Sequence, residues 1–310
     1  PDGGLAFFRL ESSTSEQVLD ALSSAVELEK VQDILSMYCR ALAGASIDIV
    51  PTRELVAKNI GWVSEGGAAT EGTTVYLPAR VDRYNAKAMN FTLLKVVSTH
   101  QVGHIEFGSF DFSFDTPSER FPDRRRERDA EVSSALEGSH PKHQGSLDAA
   151  FADMAEASPS AERGFLTDMG RFFDLFPNRK LALDIFTATE DGRLDYRVKA
   201  NYPGLSEMYG RVQLDALAER PRIEAMPAQE AMVEFLVRLS LQQNRGLPCP
   251  KEFIEEAKAI ALVAERLLHT DAMVEDSAEA TIRIYDLIEA IPNEAVPEEE
   301  WGEVDAEQPE

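Results

Sequence analysis

His100-Gln101-Val102-Gly103-His104 places two imidazoles four residues apart, the spacing at which helical side chains lie one above the other on a single face. Such a pair binds zinc through ring nitrogens. In the H-E-x-x-H arrangement the residue after the first His supplies the carboxylate that takes a proton from metal-bound water. Here that residue is Gln101, an amide with no proton-accepting carboxylate. The string is a metal-site scaffold without its base. A zinc site of this type also needs a third ligand, commonly a carboxylate on a later helix. Glu190 is the candidate, in Thr189-Glu190-Asp191-Gly192-Arg193, which follows the apolar Leu181, Leu183, Ile185 and Phe186. Arg193 would brace Glu190 by a charge-assisted hydrogen bond, and together with Gln101 and Asp191 it would surround the ligands. The same acidic and basic residues also fit a surface network on a helix. Zinc ligation and a metal-free, hydrogen-bonded His pair therefore both stand.

The elements that must position these residues are mostly helices, so the expected class is mainly α (α+β), with a small β-sheet or hairpin. Apolar residues at helical spacing, Leu28, Val31, Ile34, Leu35, Tyr38 and Leu42, predict an early helix ending near Gly44. Thr73-Thr74-Val75-Tyr76-Leu77-Pro78 is β-branched and closed by proline, which predicts a strand. A helix from about Ala86 to Phe107 carries Leu93, Leu94, Val96 and Val97 just ahead of the His pair. Further helices are expected from Phe165 to Phe176, Arg179 to Tyr202, Leu205 to Leu217, Gln229 to Gln242, Pro250 to Leu268 and Ala278 to Ile291, with prolines near the joints. The plan is an N-terminal part over 1–115, a flexible charged insertion over 116–146, a helical part over 147–292 packing on the His-pair helix, and an acidic linker or tail over 293–310. Within the insertion, Phe121 to Asp129 interleaves Arg with Asp and Glu and reads as a solvated mixed-charge face. His140 and His143 are given no metal role.

Composition excludes several classes. The 310 residues carry 55 acidic against 31 basic side chains, a formal net charge of −24 that repels nucleic acid and anionic lipid. Cys39 and Cys249 stand alone, with no C-x-x-C partner, so neither a disulfide framework nor a Cys-type zinc module is expected. No leader pattern opens the chain and no run approaches the roughly 18 apolar residues of a membrane span, so a cytoplasmic setting without membrane insertion is expected. There is no G-x-x-x-x-G-K loop for nucleotide, and Ser98 and Ser109 lack a G-x-S-x-G context.

Five strings taken together resemble the NorD/CbbO family, in the region that precedes a von Willebrand factor A domain. They are Thr73 to Pro78, His100 to Gly108, Leu175-Phe176-Pro177-Asn178-Arg179, Thr189 to Arg193 and Tyr202-Pro203-Gly204, and the resemblance covers most of residues 28 to 290. It implies a degenerate zincin-like core. It also implies a non-catalytic adaptor module of a MoxR-type AAA+ ATPase hexamer that activates or remodels a client enzyme, of the nitric oxide reductase or Rubisco type. The chain departs from the family in showing no A domain. The nearest string to the D-x-S-x-S motif, Asp111-Phe112-Ser113-Phe114-Asp115, ends in Asp and lacks a βαβ setting. The acidic tail then reads as a linker, with client docking left to an A domain beyond it. The alternative function is a zinc-dependent metallopeptidase-like hydrolase ligated by His100, His104 and Glu190, with Asp191 or Glu106 replacing the missing base. Glu106 fits that role poorly, because two residues past His104 is about 200° around a helix.

Overall fold

A computed structural model describes residues 23–52, 69–138 and 167–306. These residues are mainly helical, with small sheets of two or three strands. Among them no helix is long and apolar enough to cross a membrane. The chain divides into two compact units, Pro1–Phe110 with Leu194–Glu219, and Asp111–Arg193 with Arg220–Glu310. The expected helical block is thereby split, and its 194–219 stretch joins the N-terminal part.

In the first unit the helix Leu28–Ala43 stops at Gly44, whose φ of 64° lets its N–H turn back to the Arg40 carbonyl at 3.0 Å. Strand Thr74–Leu77 lies between Asp48–Pro51, parallel to it, and Ala69–Glu71, antiparallel. Being central, its Val75, Tyr76 and Leu77 are all buried. The His-pair helix Lys87–Glu106 serves two cores. Leu94 and Val102 pack with Leu35, Ile49, Val75 and Leu77, while Val96 meets Phe107, Leu194, Val198, Tyr209 and Val212. A helix that buries apolar residues on more than one side is held in a fixed rotation. Buried Asn90 anchors its first turn: Oδ1 accepts from the N–H groups of Arg83 (2.9 Å) and Tyr84 (2.8 Å), and Nδ2 donates to the carbonyls of Ser24 (2.8 Å) and Tyr84 (2.7 Å).

The second unit is built on the helix Val274–Glu289, which is buried along most of its length and carries acidic residues into the interior. Those carboxylates accept from a neighbouring loop: Glu275 from the Ser113 N–H, Asp276 from Glu119 and Arg120, and Glu279 from Arg124 and Arg125. Two expectations are corrected here. The run 121–129 is solvated only in part: Arg124, Arg126 and Glu127 are exposed, but Arg125 is wholly buried against Glu279 at 3.0 Å and begins a helix, Arg125–Gly138. Arg128 lies over the rings of Phe176 and Tyr285 at 4.9 and 5.2 Å. Aromatic faces and buried carboxylates make an interior that arginine can enter. The tail is also structured in part: Trp301–Val304 pairs antiparallel with Leu247–Pro250, burying Val304. His140 and His143, with the remainder of the expected insertion, lie outside the described residues.

Candidate functional site

The His pair sits in the C-terminal half of a helix whose register two cores fix, and its rings meet edge to face with centroids 5.1 Å apart. Each Nδ1 has a partner in the first unit. His100 Nδ1 lies 2.8 Å from Asp195 Oδ1 and 3.1 Å from the Tyr209 hydroxyl, and His104 Nδ1 lies 3.1 Å from Ser109 Oγ. Asp195 is the hub. It accepts from Tyr209 at 2.6 Å on Oδ1 and from Gln213 Nε2 at 2.7 Å on Oδ2, while Gln213 Oε1 accepts from Lys199 Nζ at 3.0 Å. Burial pushes the Asp195 carboxyl up, but the His100 ring, through charge and hydrogen bond, together with the Tyr209 hydroxyl and Lys199 outweighs it and holds Asp195 below its ordinary range. Lys199 is lowered by burial, against the pull of Asp195.

Gln101 has a structural partner. The Thr70 hydroxyl lies 2.8 Å from its side-chain Oε1 and 3.1 Å from its carbonyl, tying the edge strand Ala69–Glu71 to the helix. Glu106, the other proposed base, accepts from the Tyr202 hydroxyl. Burial raises its carboxyl above the ordinary value, opposed by that hydrogen bond and by Arg197. Ser98 turns its hydroxyl back to the Leu94 carbonyl at 2.6 Å, the bond of a buried helical serine rather than a nucleophile.

The remaining predicted residues lie on the helix Arg179–Asn201, which carries Glu190, Asp191 and Arg193 in the second unit and Asp195 in the first. The expected bond between Arg193 and Glu190 is present and bidentate, at 2.8 Å to Oε2 and 2.5 Å to Oε1, and Arg193 also donates to the Ala272 carbonyl at 2.9 Å. This buried pair is neutral without a metal. Asp191 is four residues before Asp195, about 40° away around the helix, whereas Glu190 is about 140° away. Asp191 thus shares the face of the carboxylate that holds His100.

No protein-family model, curated protein or solved structure matches this chain. Sequence reasoning missed Asp195 and Tyr209. The i, i+4 relation of Asp191 to Asp195 was visible, and would have marked a two-carboxylate face. Tyr209 carries no local signal, because it reaches the His-pair helix only through tertiary packing.

Proposed function

We propose that this chain is a non-catalytic adaptor module with a zincin-like core, serving a MoxR-type AAA+ ATPase that activates or remodels a client enzyme of the nitric oxide reductase or Rubisco type, in the cytoplasm. The observation that carries the non-catalytic part is Gln101: the position a metallopeptidase gives to its base holds an amide, and that amide is hydrogen-bonded to Thr70. The ATPase and client rest on the five strings that resemble NorD and CbbO proteins. An adaptor needs a stable shape and a surface, and a catalytic position converted to a strand-to-helix tie serves shape. The experiment is to mix the chain, extended through any A domain that follows it, with a MoxR-type ATPase, recording co-elution and ATP turnover. Co-elution with altered turnover is expected. A chain that leaves ATP turnover unchanged and does not co-elute sinks the adaptor reading.

The alternative, a zinc-dependent metallopeptidase-like hydrolase, draws support from the His pair itself. Two imidazoles on one helix face, one bonded through Nδ1 to a carboxylate, form a donor set suited to zinc. His100 and His104 would hold the ion, while Glu190 is already paired with Arg193. Zinc would polarise water there; Gln101 cannot take the proton, and Glu106, one of the two replacement bases, is hydrogen-bonded to Tyr202. Zinc-dependent cleavage of an unfolded protein substrate by the unaltered chain would favour this reading over the first.

A further inference from the structure

We infer that Asp195, assisted by Tyr209, is a positioning residue that holds His100 as the Nδ1–H tautomer, so that Nε2 is the nitrogen His100 offers to a divalent metal. The inference rests on reading the His pair as ligands and names the group that prepares one of them. An ionised carboxylate can only accept. Asp195 Oδ1, at 2.8 Å, therefore requires a proton on His100 Nδ1, and Nε2 becomes the basic nitrogen. The Tyr209 hydroxyl strengthens the arrangement, since it donates to Asp195 Oδ1 at 2.6 Å while its oxygen lies 3.1 Å from His100 Nδ1. The Ser109 hydroxyl beside His104 Nδ1 can donate or accept, so that contact by itself does not select a tautomer.

The rest of the network sets which way this hub faces. Lys199 Nζ has only protons to give, so it fixes Gln213 Oε1 toward itself and Gln213 Nε2 toward Asp195 Oδ2. An Asn at 195 must then choose. With its oxygen toward Gln213, its NH2 faces His100 Nδ1 and forces the proton to Nε2; with its oxygen toward His100, two NH2 groups collide at Gln213. Asp195→Asn is therefore a near-isosteric change that reverses or frustrates the tautomer.

The test uses chelator-treated chain labelled with 15N-histidine at a pH where the rings are neutral. Ring-nitrogen shifts are recorded for the five His residues, with His100→Gln for assignment, and are followed by zinc competition titration. In the unaltered chain His100 is expected as Nδ1–H. Asp195→Asn is expected to shift it toward Nε2–H and to weaken zinc about 10- to 100-fold, while Tyr209→Phe keeps the tautomer and loses less affinity. An Nε2–H His100 in the unaltered chain overturns the inference, a result that needs no variant to fold. Folded Asp195→Asn that binds zinc within about twofold of the parent overturns it too. A chain that takes up no zinc overturns the ligand reading and the metal half of the inference with it. The tautomer, measured without metal, decides the orienting half separately.

Discussion

Replacing Arg125 by alanine asks whether the charged run 121–129 belongs to the interior of its unit. Arg125 and Glu279 are both fully buried, 3.0 Å apart, and Arg125 also donates to the carbonyls of Ser113 (3.3 Å) and Thr116 (2.6 Å). Removing one member of such a pair costs about 3–5 kcal/mol, because the charge left behind is out of water. Arg283 Nη1 remains 2.6 Å from Glu279 Oε2 and still neutralises it, so Arg125→Ala belongs near the lower end, about 3 kcal/mol. Glu279→Ala is harsher. It strips the shared acceptor from both guanidiniums and from the N–H groups of Arg124 and Arg125, and each buried donor left unmatched costs about 1–3 kcal/mol. A loss of about 5 kcal/mol or more follows. Urea unfolding monitored by Trp301 reports on this unit, in a Trp62→Phe background that removes the only other tryptophan. If Arg125→Ala costs less than about 1 kcal/mol, the level of an exposed pair, or costs more than Glu279→Ala, the reasoning is wrong and the guanidinium is hydrated.

Three further outcomes are expected. The raised Glu106 carboxyl makes folding favour its neutral form, so its contribution is full below the unfolded value of about 4.3 and is lost as pH rises through the folded value. Glu106→Gln, which keeps an acceptor for Tyr202, should accordingly gain urea resistance over the parent at pH 7 and show no gain near pH 4. Burial pushes both Cys39 and Cys249 thiols up to about 12, so neither should react with a thiol reagent at pH 8 until denaturant is added. Fast labelling of the folded chain would contradict that. Gly103→Ala, between the two histidines, would set its new methyl 3.4 Å from Val198 Cγ2 and 3.8 Å from Phe107, ordinary contacts. The helix should gain about 0.5–1 kcal/mol, and a fall in melting temperature would show that the site is tighter than that.

The parts legible from sequence are those that local periodicity controls. The helices Leu28–Ala43 and Lys87–Glu106 and the strand Thr74–Leu77 end within a residue or two of where apolar spacing, Gly44 and Pro78 place them. The His pair and the Arg193–Glu190 bond were likewise readable, being i, i+4 and i, i+3 relations on single helices. What could not be read depends on distant partners. Arg125 looks like a surface residue until Glu279, 154 positions later, is brought against it. Trp301–Val304 looks like tail until Leu247–Pro250 supplies its hydrogen bonds. Asp195 is an unremarked acid until it reaches His100 across 95 positions. Local pattern reports which residues prefer to be buried, and says little about which opposite charge will meet them there.

The chain leaves its first unit at Phe110, returns at Leu194 and leaves again after Glu219. During synthesis, then, a ribosome that has released residue 110 has produced Val96 and Phe107 but not Leu194, Val198, Tyr209 or Val212, which bury them. More than 80 residues of the other unit must emerge first. The His-pair helix therefore waits through much of translation with one apolar side open, a stretch in which chaperone capture or misassociation has its best opportunity. The same threading means that neither unit corresponds to one continuous span of the gene. A truncation at residue 110 would keep the core around Leu35, Val75 and Leu94 but strip Val96 and Phe107 of the partners that bury them.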